Sequence, residues 1–365
     1  MLETFKIHFS SGSYEVVIGS GLATSAAAED ALNILQIIDS NVSELWPKAC
    51  KKNAIKILAI EENKTLFKVA EVIESLRTLG ANRQSLLSVY GGGIVQDLAT
   101  FVASSYMRGI QWIYSPTTLL GMVDSCIGGK SSLNVGIYKN IAGNFYPPQK
   151  ITIDTEFCKT LEAKEIIAGL CEASKICFSS EGSAFDDYLD IFEGIFFPVT
   201  QEQLQQLIYL SLLTKKRYIE EDEFDQGVRL LLNFGHTFGH AIEASTNFSV
   251  THGVAVGLGM LAELELSRQL GLLAMPISRV EKLQNYITEL MAHVPDLHKN
   301  LTTLSIEKAM ASFKSDKKHG KDFYHLILTN KLGQLERASI PNTLELDARI
   351  ESIFVKIQKG FNFEI

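Results

Sequence analysis

The sequence predicts an α/β, doubly wound nucleotide-binding domain at the N-terminus and an all-α, metal-binding domain at the C-terminus. Three observations carry this. Short β-like runs alternate with helically spaced runs as far as Asp154, the pattern of a parallel sheet with crossover helices. One of those runs, SLLSV, leads into YGGG (Tyr90 to Gly93), a strand, glycine loop and helix in the order that suits a bound pyrophosphate. From Leu161 onward the chain is mostly long amphipathic segments, with histidines and a glutamate beside glycines. At 365 residues two domains are expected. Their boundary falls near residues 154 to 160, which makes them 1–155 and 156–365.

The elements follow in order. Phe5 to Phe9 and Tyr14 to Ile18 flank a Ser-Gly turn and read as a hairpin. LQIIDS ends a strand near Asp39, and AIKILAI is the next. LFKVAEVIESLRTLGA has helical spacing and stops at Gly80. After the glycine loop a helix runs through Gln96 to Met107, and IQWIYSPTT and KITID are further strands. PTTLLGMVDSCIGGKSSLN reads as a loop. In the second half, QLQQLIYLSLLTKKRYIEEDEF and GVAVGLGMLAELELSRQLGLL are long helices, and YHLILTN is one short β-like stretch.

Composition excludes several classes. Hydrophobic residues make up 46% and charged residues 21%, as in ordinary globular proteins. The net charge of −8 carries no basic footprint for nucleic acid. No run of 18 apolar residues is present, so a membrane span is not expected. Five cysteines without a CxxC pair imply reduced thiols and a cytoplasmic location. The opening residues lack the charged end and apolar core of a signal peptide.

The chemistry-bearing residues sit in four blocks. Glu172 in GLCEASK, His236 in NFGHTFGHAIE and His252 in THG form a candidate N/N/O metal set with an open position. His236 and His240 share a helix face at i, i+4, so both could be ligands, or one alone. Against this stand a core histidine and an ion pair of Glu172 with Lys175 at i, i+3. Gly91 to Gly93 could cradle a pyrophosphate or simply turn the chain, and Asp97 could serve a cofactor or the helix dipole. Asp124 and Lys130 lie among apolar neighbours, where an unpaired charge is costly. Gly128 and Gly129 would let Lys130 approach an anion; the alternative is a solvated turn. Arg229, Asn233, His236 and His240 are spaced 4-3-4 and, on one helix, would form a polar stripe between leucines, which suits a ligand pocket. A divalent metal beside a dinucleotide implies redox chemistry at a carbinol carbon.

Taken together, GGGIVQD, YMRG, PTTLLGMVDSCIGGKSSLN, KNIAGNFYPP, GLCEASK, RLLLNFGHTFGHAIE, HG and DKKHG resemble the 3-dehydroquinate synthases among the sugar-phosphate cyclases, in the same order, from about Asp39 to Gly320. The resemblance implies an NAD-binding N-terminal domain and a helical metal-binding C-terminal domain. It assigns Glu172, His236 and His252 to zinc or cobalt. It places Asp39, Glu61, Lys64, Gly91, Gly92, Gly93, Asp97, Thr117, Thr118 and Lys139 around the cofactor. It gives Asp124, Lys130, Asn140, Lys175, Lys215, Arg229, Asn233, His240 and Lys318 to the substrate. Arg108 would reach the neighbouring subunit's phosphate site, which implies a homodimer. The chain departs from the family at Val254, where HGEAV becomes HGVAV, at Ile60-Glu61 for GE, and at Asp97-Leu-Ala-Thr100-Phe101 for DxxGF.

The implied reaction is transient oxidation of a sugar phosphate, phosphate elimination, reduction and intramolecular aldol closure, with the substrate's own phosphate as base. Arg229 beside Asn233 suits a carboxylate, so the expected substrate is 3-deoxy-arabino-heptulosonate 7-phosphate, in the shikimate route to aromatic amino acids. A cyclase for another sugar phosphate such as sedoheptulose 7-phosphate, a metal-dependent polyol dehydrogenase and a non-catalytic paralogue are the alternatives.

Overall fold

The computed structural model describes residues 2–23, 33–136, 138–273 and 277–360. The chain divides into two compact units. The first is Met1–Leu161 with Thr200–Asp225; the second is Glu162–Val199 with Gln226–Ile365.

In the first unit, β1 (Glu3–Phe9) and β2 (Gly12–Gly19) form an antiparallel hairpin. β3 (Ile34–Asp39), β4 (Ile55–Ile57), β5 (Leu86–Gly91) and β6 (Gln111–Pro116) are parallel. β7 (Leu133–Val135) and β8 (Tyr138–Ala142) pair separately, and β9 (Lys150–Asp154) runs parallel to both β2 and β6. The seven-stranded sheet has the order β1-β2-β9-β6-β5-β3-β4. Ile37, Ile38, Leu87, Val89, Trp112, Tyr114, Ile151 and Ile153 are buried along it, the near-continuous apolar reading of strands covered on both faces. Helices Leu66–Thr78 and Gly93–Ser105 contribute Val69, Val72, Leu76, Leu98 and Val102 to that core. β4 and β5 lie on opposite sides of β3, so the strand order reverses there. Ligands of open α/β sheets bind outside the strand carboxyl ends at such a reversal.

Helix Gln201–Glu221 belongs with this first unit, a return of the chain that a single boundary near residues 154 to 160 does not include. Leu204, Leu207, Ile208 and Leu212 are buried, and Ser211 Oγ donates to the Val123 carbonyl at 3.0 Å. Glu220 and Glu223 accept the backbone N–H groups of His8 and Ser10, each at 2.8 Å. Amphipathic spacing announces that a face is buried but not which partner buries it. The segment read as a loop after Pro116 is also structured: Gly121–Ser125 is a π-helical turn, and β7–β8 follows it.

The second unit is helical, with one hairpin. β10 (Phe323–Thr329) pairs with β11 (Leu335–Pro341), whose LERASIP has no buried residue and so gave no apolar signal. Helix His252–Gln269 is buried continuously from Gly253 to Ser267, as expected of a central helix. Its glycines admit neighbours to backbone distance. A Cβ at Gly259 would stand 1.9 Å from the Gly235 carbonyl oxygen, and one at Gly253 would stand 2.2 Å from that of Ala168. Helices His236–Ser245 and Ala163–Ser179 are thereby drawn onto it. The five cysteines are free thiols. No helix among the described residues is long and apolar enough to cross a membrane.

Candidate metal centre and nucleotide site

Glu172, His236 and His252 come from the three helices that the glycines bring together. Their ligand atoms lie within 4.8 Å of one another. Glu172 Oε1 is 3.4 Å from His252 Nε2 and 3.9 Å from His236 Nε2. Glu172 Oε2 accepts from Lys175 Nζ, and both side chains are buried. The ion-pair and metal readings of Glu172 are therefore compatible: each uses a different oxygen. Glu243 Oε2 lies 3.0 Å from His252 Nδ1. A carboxylate can only accept, so Nδ1 carries the proton and Nε2 is left to face Glu172. Burial opposes the charged ring of His252, but Glu243 and Glu172 together raise its pKa to about 9. Burial and the Lys175 ammonium push His236 well below the usual histidine value. Two imidazoles and a carboxylate, with His252 oriented by Glu243 and Glu172 held by Lys175, fit a zinc-type ion.

His240 joins this group, its ring 5.5 Å from His236 and 5.8 Å from His252. Lys318 Nζ donates to Thr237 Oγ1 at 3.1 Å and lies 3.3 Å from Asp316 Oδ2. Arg229 and Asn233 are not on the helix of His236. They lie in a 3-10 turn, Val228–Asn233, and the chain then passes through Gly235 at φ 80 before helix His236–Ser245 begins. The 4-3-4 spacing crosses a break that resets the helical phase, so no single stripe exists. Arg229 is nevertheless 3% exposed, and Asn233 donates to the Leu230 carbonyl at 3.0 Å. Val254, where the family pattern has a glutamate, is buried in the first turn of its helix.

In the first unit, pairing of Ile38 with Tyr90 brings Asp39 and Gly91 together at the carboxyl ends of β3 and β5, beside the reversal of strand order. Thr117 donates its N–H to the Gly91 carbonyl at 3.0 Å. Thr118 follows, accepting from Gly121 N at 3.1 Å. Gly91 and Gly92 have no room for side chains: a Cβ would stand 2.5 Å from Val95 and 2.8 Å from Thr118. Gly93 opens helix Gly93–Ser105, and no side chain caps it. A close-approach loop feeding a helix N-terminus fits a pyrophosphate.

Glu61, Lys64, Asp97, Lys139 and Asn140 form one cluster. Lys64 Nζ is 2.7 Å from Asp97 Oδ2 and donates to Asn140 Oδ1 at 2.9 Å. Lys139 Nζ is 3.3 Å from Glu61, and Asn134 joins Glu61 to the Asn140 backbone at 2.9 and 3.0 Å. Burial raises Asp97 to about 6 despite Lys64. Asn140 thus stands among the residues expected around a cofactor, while Lys130, grouped with it by sequence, pairs with Asp225 at 2.6 Å. Asp124 lies on the π-helical turn, and Lys215 Nζ donates to both its carbonyl, at 2.6 Å, and its carboxylate. Arg108 is exposed, at φ 71, in the 3-10 turn after helix Gly93–Ser105.

Glu243, Asp316, Asn134 and Asp225 were not singled out by sequence. Glu243 stands seven residues after His236, on the same helix face, and Asp316 two residues before Lys318, so spacing offered a signal for both. Asn134 and Asp225 offered none.

A family model for the 3-dehydroquinate synthase N-terminal part matches residues 54–168, and one for the C-terminal part matches 169–319. The 3-dehydroquinate synthase of Sulfurisphaera tokodaii is 33% identical over 331 residues, covering 89% of this chain and 92% of that protein. That of Saccharolobus solfataricus is 34% identical over 282 residues, covering 77% and 78%. Among solved structures, 2-deoxy-scyllo-inosose synthase complexed with carbaglucose-6-phosphate, NAD+ and Co2+ has a TM-score of 0.79 at 23% identity, covering 96% of this chain and 99% of that one. The 2-epi-5-epi-valiolone synthase of Streptomyces hygroscopicus, with NAD+ and Zn2+ bound, has a TM-score of 0.77 at 24% identity, covering 96% and 98%. At such identities the two structures speak for the fold alone. The sequence matches go further: the chain belongs to the 3-dehydroquinate synthase family and is a carbocycle-forming lyase.

Proposed function

We propose that this enzyme converts 3-deoxy-arabino-heptulosonate 7-phosphate to 3-dehydroquinate and phosphate, with NAD and one divalent ion, zinc or cobalt, in each subunit of a cytoplasmic homodimer. The convergence of Glu172, His236 and His252 carries the reading, because two imidazoles and a carboxylate with ligand atoms within 4.8 Å of one another suit a catalytic divalent ion. The relatives' name and the cofactors of the two structural neighbours support it.

When bound, NAD supplies a reversible hydride acceptor and the ion a Lewis acid for a substrate hydroxyl. The chain's own residues bind and orient. Glu172, His236 and His252 would hold the ion, Lys175 balances the Glu172 carboxylate, and Glu243 keeps the His252 ring turned. Gly91 to Gly93 receive the dinucleotide phosphates, with Asp39, Thr117 and Thr118 beside them. Glu61, Lys64, Asp97 and Lys139 serve the same cofactor. The resemblance gives Lys130 and Asn140 of the first unit, His240 and Lys318 of the second, and Arg108 of the partner subunit to the phosphate that leaves. Asp124, with Lys215, binds a ring hydroxyl. Arg229, a buried guanidinium in the same 3-10 turn as Asn233, reads the substrate carboxylate. Substrate and products stand at the same overall oxidation level, so the sum would be redox-neutral.

The test is turnover of a panel of sugar phosphates with product analysis. 3-Dehydroquinate and phosphate should form in equal amounts, with no accumulation of NADH. Arg229→Ala should cut turnover severely, since losing one partner of a buried charge pair costs about 2–5 kcal/mol in binding, while NAD and metal still bind. Turnover of sedoheptulose 7-phosphate alone would refute the carboxylate reading; steady NADH release would make the enzyme a dehydrogenase.

A further inference from the structure

Glu263 has no part in the chemistry above, yet it is 0% exposed in the middle of the central helix. Its Oε2 accepts the Gly235 N–H at 2.7 Å. Its Oε1 is buried with no hydrogen-bond partner among the described residues. A buried carboxyl is expensive to keep, and the single bond it makes goes to one particular backbone group. Gly235 is the left-handed residue, φ 80, on the link from the Val228–Asn233 turn, which holds Arg229, to the helix opened by His236. Gly235 is clamped on its other side too, since its carbonyl oxygen occupies the space a side chain at Gly259 would need, 1.9 Å away. The central helix therefore grips both the N–H and the C=O of one residue, through Glu263 and Gly259, which are one helical turn apart.

We propose that Glu263 is a positioning residue: by accepting the Gly235 N–H it fixes the junction that sets His236 in place relative to Arg229. Burial supports this by raising the carboxyl to about 8, so that near neutral pH it is held as an uncharged acceptor. The proposal rests on His236 being a metal ligand, as in the proposed function. An acceptor of the right reach is what the site requires; a negative charge is not.

The test is zinc affinity of the full-length protein by competition with a chelating indicator, alongside KM and kcat. Glu263→Gln keeps an oxygen acceptor at the same reach and should keep wild-type zinc affinity. Glu263→Leu removes the acceptor, and Glu263→Asp withdraws it by one methylene. Both should weaken zinc binding on the order of 10–100-fold, the usual cost of losing support behind a ligand, and raise KM more than they lower kcat. If Glu263→Leu does not fold, the Asp and Gln variants decide alone. Wild-type zinc affinity in the Leu or Asp variant overturns the proposal, and so does an equal loss in Glu263→Gln. His236→Ala is the control: zinc affinity unchanged there would sink the metal assignment itself, whatever the Glu263 series does.

Discussion

One carboxylate, Glu172, divides its work by oxygen: Oε2 receives the Lys175 ammonium and Oε1 faces two imidazoles. Glu263 is the opposite case, a carboxyl whose worth lies in not being charged. Its pKa is raised from 4.5 to about 8, first by burial. The native protein then holds a proton that the unfolded chain has released, so the unfolded state binds fewer protons between those values. This contribution to stability is fully present below the unfolded value and is lost as pH rises through 8. In Glu263→Gln the group does not titrate. The stability of that variant relative to wild type should therefore climb between pH 5 and pH 8.5, measured by urea unfolding of the metal-free proteins. A difference independent of pH would show that the carboxyl is ionised throughout.

Helix His252–Gln269 is where element and site meet. Alanine is ordinarily better than glycine in a helix interior by about 1 kcal/mol. Gly259→Ala should nevertheless destabilise, by about 1–3 kcal/mol from overpacking, because the new methyl falls onto the Gly235 carbonyl oxygen. Pushing helix His236–Ser245 outward should also weaken metal binding. Thermal unfolding with metal titration checks both, and a more stable Gly259→Ala would refute the close packing. Elements were legible in the sequence where burial is periodic, as in β3, β5, β6 and the long helices. They were illegible where it is not: Val135, Tyr138 and Ile141 of the β7–β8 hairpin are exposed. The convergence of Glu172, His236 and His252 was legible because histidines beside glycines are unusual chemistry in an unusual place. The Arg229 stripe misled because counting by fours assumes a continuous helix, and Gly235 interrupts it.

On the scale of the whole molecule, the chain leaves its first unit at Leu161 and returns to it for Thr200–Asp225. The returning segment brings Lys215 to Asp124, and Glu220 and Glu223 to the backbone of β1 and its turn. A fragment of residues 1–161 lacks these partners and leaves uncovered the surface that Leu207, Ile208 and Leu212 help to bury. It should aggregate or melt without a sharp transition, and adding residues 200–225 through a flexible linker should restore one. Calorimetry of the two fragments decides, and a cooperative transition in 1–161 alone would refute the requirement. The same return sets an order for biosynthesis. The strands of the sheet are all synthesised by Asp154, but their last cover emerges about 60 residues later, several seconds at ~5–20 residues per second. For that interval the nascent sheet displays an apolar face, and this protein's demand for chaperones should be greatest while its ribosome is still only part-way along the message.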